Sequence, residues 1–145
     1  MINKEEGAKH MDAKTGRMDF KRVTLSITGT MASTTEYELL KTMRGFEGAL
    51  YDGSWNYNKL VSRRQCRVSH SKWGSKEYDD LAAKFYKLGV PSWNGFSKSD
   101  PNVLDGESFS LDIELSDGRK IYAHGCNAYP KNYHEFMELI DEAVR

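Results

Sequence analysis

Between Phe109 and Leu115 apolar and polar residues alternate without a break: Phe109, Leu111, Ile113 and Leu115 against Ser110, Asp112, Glu114 and Ser116. That period of two belongs to a strand with one face buried and one face wet. Asp117-Gly118 follows, a pair that tolerates positive φ and turns a hairpin. Two registers compete. A two-residue turn sets Leu111 opposite His124 and Leu115 opposite Lys120. A three-residue turn with Gly118 left-handed sets Leu115 opposite Arg119, Ile113 opposite Ile121 and Leu111 opposite Ala123, with Glu114 facing Lys120. The second joins apolar to apolar and acid to base, each pair contributing about 0.2–1 kcal/mol. It therefore predicts the longer turn and puts His124 on the polar face.

The chain then passes a corner, Gly125-x-Asn127-x-x-Pro130, and enters a last helix. Gly125 offers unrestricted φ, Asn127 can bond its own backbone two residues on, and Pro130 blocks an earlier helical start. Asn132 is the expected N-cap, with Glu135 reaching back. Phe136, Met137, Ile140, Ala143 and Val144 form an apolar stripe that packs on a sheet.

Upstream, residues 1–19 are polar and aperiodic and read as a mobile tail before a single domain, 20–145. Phe20–Thr28 alternates as a first strand, with Val23, Leu25 and Ile27 on one side. Residues 30–34 make a turn; Thr35–Leu39 and Phe46–Tyr51 read as two further strands, with a helix from Glu36 to Met43 competing. Arg64–His70 reads as a fourth strand with Cys66, Val68 and His70 on one side. Ser75 is placed to cap a helix from Lys76 to Leu88. Its acids Glu77, Asp79 and Asp80 come early and Lys84 and Lys87 late, as the helix dipole favours. Tyr78, Leu81, Ala82, Phe85 and Leu88 are its inner stripe, and Gly89 and Pro91 end it. Residues 89–106 are a long irregular loop that Trp93 and Phe96 can pin to the body. The order of elements predicts an α+β domain: one antiparallel β-sheet with two α-helices packed on one face.

Basic and acidic residues number 21 each, so no net field attracts nucleic acid or an anionic membrane. No apolar run approaches the roughly 20 residues of a membrane-spanning helix. Residues 1–20 lack a secretory apolar core, and two cysteines make no disulfide framework, which together predict a cytoplasmic protein. No nucleotide-loop, zinc-protease or serine-hydrolase motif occurs. No cofactor, metal ligand or catalytic residue is assigned.

Three places can bind. The first is the loop pair Trp93 and Phe96 with Asp105 close in sequence; an aromatic anchor beside polar groups marks binding surfaces, and also pins loops. The second is the acid-free segment 53–76, whose basic part 59–76 holds Arg63, Arg64 and Arg67, with the aromatics Trp55, Tyr57 and Trp73 interleaved in the whole stretch. Basic side chains beside stacking platforms suit single-stranded nucleic acid, but pairing with the acidic segment 99–118 accounts for them equally well and makes nucleic acid the weaker reading. The third is His124 with Cys126, His134 and His70, the residue types of a thiol nucleophile or a zinc site; Cys126 is more simply a small buried hydrophobe.

Trp93, Asp105-Gly106-x-Ser108-Phe109, Leu111-x-Ile113, Asp117-Gly118, the Gly125-x-Asn127-x-x-Pro130 corner and an aromatic-led final helix together resemble a small domain of unknown function found in uncharacterised bacterial proteins. The resemblance covers the C-terminal third and implies the α+β fold, with no activity attached. The expected role is a small non-catalytic binding or interaction module with a protein or small-molecule partner.

Overall fold

The computed structural model describes residues 13–29, 34–53, 60–102 and 106–145. Residues 30–33 of the turn expected at 30–34, Trp55, Tyr57, Lys59, Asp105 and residues 1–12 of the expected tail lie outside them, and Thr34 is strand. Four strands, β1 (Phe20–Thr28), β2 (Thr34–Thr42), β3 (Gly45–Asp52) and β4 (Arg67–Gly74), lead into helix α1 (Ser75–Lys87). A short β5 (Ser97–Ser99), the hairpin β6 (Ser108–Leu115) and β7 (Lys120–Cys126), and helix α2 (Tyr133–Val144) complete the chain.

The strands form one seven-stranded sheet in the order β4-β3-β2-β1-β6-β7-β5. All neighbours are antiparallel except β5, which runs parallel to β7. The sheet is thus larger than expected, and one extra strand comes from the supposed loop. Ser97, Lys98 and Ser99 are exposed and carry no apolar alternation, so nothing in their side chains announces a strand. Val90–Trp93, in the same segment, forms a 3-10 turn.

The hairpin takes the longer turn. Ile113 pairs with Ile121, Leu111 with Ala123 and Glu114 with Lys120. The Leu115 amide donates to the Arg119 carbonyl at 2.8 Å, and Gly118 has φ +92°. β1 closes on both sides, with Val23 between Leu39 and Ile113 and Leu25 between Tyr37 and Leu111.

One aromatic line runs through the core between the sheet and the helices. Phe20 meets Phe85 at 5.8 Å between ring centroids, Phe85 meets Phe136 at 5.1 Å, and Phe136 meets Trp93 edge-on at 5.1 Å. Tyr133 continues it to Phe109 at 4.8 Å. The packed body also reaches back into the expected tail: Met18 is fully buried, and its amide donates to the Ala82 carbonyl at 2.9 Å.

Several local expectations change. Residues 64–66 are not strand. Ser62 and Gln65 form a reciprocal capping box on a 3-10 turn, Arg63–Cys66, and β4 begins only at Arg67. Ser75 is the first helical residue and Gly74 the uncapped N-cap. Asn132 is left-handed at φ +70°, and its side-chain amide donates to the Leu88 carbonyl at 3.0 Å, so it ties α2 to the end of α1 instead of capping. Asn127 is left-handed too, and its Oδ1 accepts from the Glu107 amide at 3.0 Å rather than from its own backbone. Gly125 is required for space: a Cβ there would fall onto the Ala128 carbonyl and within 2.7 Å of Phe109. Cys126 is exposed, and Cys66 is the buried thiol.

Tyr133 supplies a prediction. It is 3% exposed, and among the described residues its hydroxyl has no hydrogen-bond partner. Removing an unpartnered buried hydroxyl costs nothing it was contributing. Tyr133→Phe should therefore leave stability at pH 7 within about 0.5 kcal/mol or raise it by up to about 1 kcal/mol. Burial first, then the charge of Glu107, raises the hydroxyl's pKa far above the ordinary tyrosine value. The unfolded chain releases that proton near pH 10 while the folded chain keeps it. Stability is thus complete below about pH 10 and falls above it. Burial raises Tyr37, Tyr78 and Tyr129 in the same sense. In urea melts between pH 9 and 11.5, Tyr133→Phe should flatten the decline by up to about 1.4 kcal/mol per pH unit, the contribution of one proton.

Candidate functional site

Both helices cross the same face of the sheet, and the seam between them is open to solvent. Residues Glu77, Asp80, Leu81, Lys84, Lys87 and Leu88 follow one another along one side of α1 at helical spacing, and Glu135, Glu138, Leu139 and Glu142 do so along α2. These two stripes are the walls of a groove. Its first part, about 140 Å³, has a floor of Phe46, Trp73, Leu81, Leu139 and Ala143 under Glu77, Asp80, Glu142 and Lys84. The second, about 280 Å³, continues past Leu88 between Lys84 and Lys87 on one side and Glu135 and Glu138 on the other. Lys84, Leu139 and Glu142 line both parts, which makes the groove continuous.

The floor is held rigidly. The Trp73 ring stacks on Phe46 at 6.1 Å and 15°, and its indole N–H donates to the Ala143 carbonyl at 2.8 Å. Ser69 donates to the Val144 carbonyl at 2.6 Å, so β4 satisfies two of the carbonyls that the end of α2 leaves open. Gly48 lets that helix end lie directly on β3, since a Cβ there would run into the Ala143 carbonyl. Around this floor stand five carboxylates and two ammonium groups, and none is ion-paired among the described residues.

The residues singled out from the sequence lie elsewhere and do not converge. Trp93 is 4% exposed, in the core against Phe136 and Tyr133, so it pins its segment. Phe96 is half-buried, 6.2 Å from the Phe109 ring. Arg63 turns inward. Its guanidinium is 3.0 Å from both Glu36 and Glu38 and 4.2 Å from the centre of the Tyr51 ring. Burial opposes its charge, but the hydrogen bond and field of Glu38, with Glu36, outweigh it and raise its pKa. Arg64 and Arg67 remain exposed. The basic and acidic segments are not sheet partners: β4 lies at one edge, with β3, β2 and β1 between it and β6. The basic side chains answer instead to Glu36, Glu38 and Glu47, on β2 and β3.

His124 stands on the exposed face of β7, with Ser97 Oγ 2.9 Å from its Nε2 and the Tyr122 ring 5.7 Å away. Cys126 follows on the same face, whereas His134 is on α2 beside Tyr129 and His70 is near Glu47 at the other edge. Among the described residues no carboxylate hydrogen-bonds His124, and no three His, Cys, Asp or Glu side chains are grouped to hold a metal ion. No helix among the described residues is long and apolar enough to cross a membrane.

No family model, no curated protein and no solved structure matches this chain. The groove was missed from sequence because its walls lie on helices far apart in the chain. One signal was available: Leu139 falls off the Phe136–Ile140–Ala143 line, on a stripe it shares with Glu135, Glu138 and Glu142.

Proposed function

We propose that this protein is a small non-catalytic interaction module that seats a segment of a partner protein in the groove between α1 and α2. The observation that carries the reading is a groove floored by apolar side chains, Trp73 and Leu139 partly exposed among them, beneath charges that have no ion-pair partners among the described residues. A concave surface with an apolar floor and a few convergent polar groups is the usual form of a binding site. The groove is a run of two open parts, about 140 and 280 Å³, rather than one enclosed pocket, a shape that favours side chains from a peptide. From Glu77 to Leu88 the α1 wall is about 16 Å long at the helical rise, the length of a short amphipathic segment laid in a groove. On the uncovered face of the sheet several charges are already paired with one another, Arg63 with Glu36 and Glu38 and Lys72 with Glu47.

Leu139→Asp tests the reading, since Leu139 is half-buried and lines both parts of the groove. Peptides selected from a displayed random 12-residue library on the intact protein should bind Leu139→Asp at least about tenfold more weakly, the scale of losing one buried anchor. Because Leu139 also packs against the core, the variant's urea midpoint should fall somewhat, and binding is compared where urea melts show both proteins folded. Selected peptides that bind parent and variant alike would overturn the proposal.

A further inference from the structure

We infer that the Trp73 end of the groove receives an arginine side chain of the partner segment; the inference rests on the interaction-module reading and names what that site recognises. Three features of this end point to a guanidinium. The cleft is small, about 140 Å³, and suits one long side chain better than a row of them. Its floor includes a fixed indole, stacked on Phe46 and tied to the Ala143 carbonyl, over which an aliphatic stem can lie. Its rim carries Glu77, Asp80 and Glu142 against the single cation Lys84.

Charge complementarity selects a cation, and the mixture of aromatic floor and carboxylate rim selects arginine over lysine. A guanidinium is planar and weakly hydrated, stacks on aromatic faces, and presents a fork of donors that matches carboxylates. An ammonium is more strongly hydrated and would lose more on entering an apolar floor. Further along, Lys84 and Lys87 of α1 face Glu135 and Glu138 of α2, so the excess of carboxylate is concentrated at the Trp73 end. That asymmetry orients the partner, with its arginine at Trp73 and its apolar residues on Leu139 and Leu88. Trp73 and Phe46 are fixed by contacts inside this chain, so little ordering is required on binding.

The test uses three synthetic ten-residue peptides, identical but for one position: leucines at helical spacing around a central arginine, citrulline or lysine. Citrulline keeps the shape of arginine and removes its charge. Fluorescence anisotropy against the intact protein should show the arginine peptide binding about tenfold tighter than the citrulline peptide, with lysine between them. The arginine advantage should shrink as salt is raised. Asp80→Asn combined with Glu142→Gln, both exposed helix positions, should abolish it while leaving the urea midpoint unchanged. Equal affinity of the arginine and citrulline peptides would overturn the inference, as would an advantage that survives in the double variant. If none of the three binds while library-selected peptides still respond to Leu139→Asp, the arginine inference falls and the module reading stands. If those peptides also ignore Leu139→Asp, the module reading itself falls.

Discussion

Trp93→Ala is expected to destabilise the protein by about 3–5 kcal/mol, the range for deleting a large aromatic from a core. Trp93 is 4% exposed, with Phe136 set edge-on at 5.1 Å and Tyr133 at 6.4 Å. It ends the 3-10 turn that carries the chain from α1 to β5, so the cavity would open where α2 meets that connection. The neighbours cannot easily collapse into it. Phe136 is also held by Phe85, and Tyr133 by Phe109 and Tyr129. A urea melt checks the value, and a loss under about 0.5 kcal/mol would be that of a surface residue. The contrast with Tyr133→Phe is informative, because the two side chains touch and yet one substitution is costly and the other close to neutral.

Gly48→Ala should be nearly as damaging, at about 3 kcal/mol, although it adds a single methyl group. The new Cβ would meet the carbonyl of Ala143, with the Val144 Cα at 3.3 Å. These are backbone atoms and cannot rotate aside, so α2 has to lift from β3 as a body. Overpacking of this kind costs about 1–3 kcal/mol by itself. Lifting the helix end also strains the bonds from Ser69 to Val144 and from Trp73 to Ala143, each contributing about 1 kcal/mol. Equilibrium unfolding gives the magnitude. A melt within about 0.5 kcal/mol of the parent would mean that α2 is not seated on β3 as described. Because Leu139, Glu142 and Ala143 ride on the same helix, this substitution should also spoil the groove.

What could be read from the sequence was what short-range patterning specifies. The β6–β7 register was legible because only one turn length matched Leu111, Ile113 and Glu114 to suitable partners across the strands. The two helices and their inner faces followed from spacing. β2 was legible as a strand, although it runs on to Thr42. The errors lay where a residue had two partners to choose between. Asn132 had the signature of a cap, but its amide is taken by the Leu88 carbonyl, a contact no local rule contains. Ser62-Arg63-Arg64-Gln65 does carry a local rule, the capping box, and the apparent alternation beyond it concealed the turn.

The groove residues were harder still, for a physical reason. Clusters of aromatic or basic residues along the chain attract attention, and this fold spends one prominent member of each internally, Trp93 in the core and Arg63 on Glu36 and Glu38. The groove arises only when two helices settle side by side on the sheet, from residues that singly look like ordinary solvated positions. Asp80 and Glu142 become one rim because Gly48, Ser69 and Trp73 bring α2 down beside α1.

The most direct test of the groove as the binding surface is a backbone amide shift map of the intact protein titrated with a library-selected peptide. The largest changes should fall on Leu81, Lys84, Leu139, Glu142 and Ala143, with Ser97, Tyr122 and His124 unmoved. Shifts concentrated on those last three residues, with the groove amides silent, would contradict it.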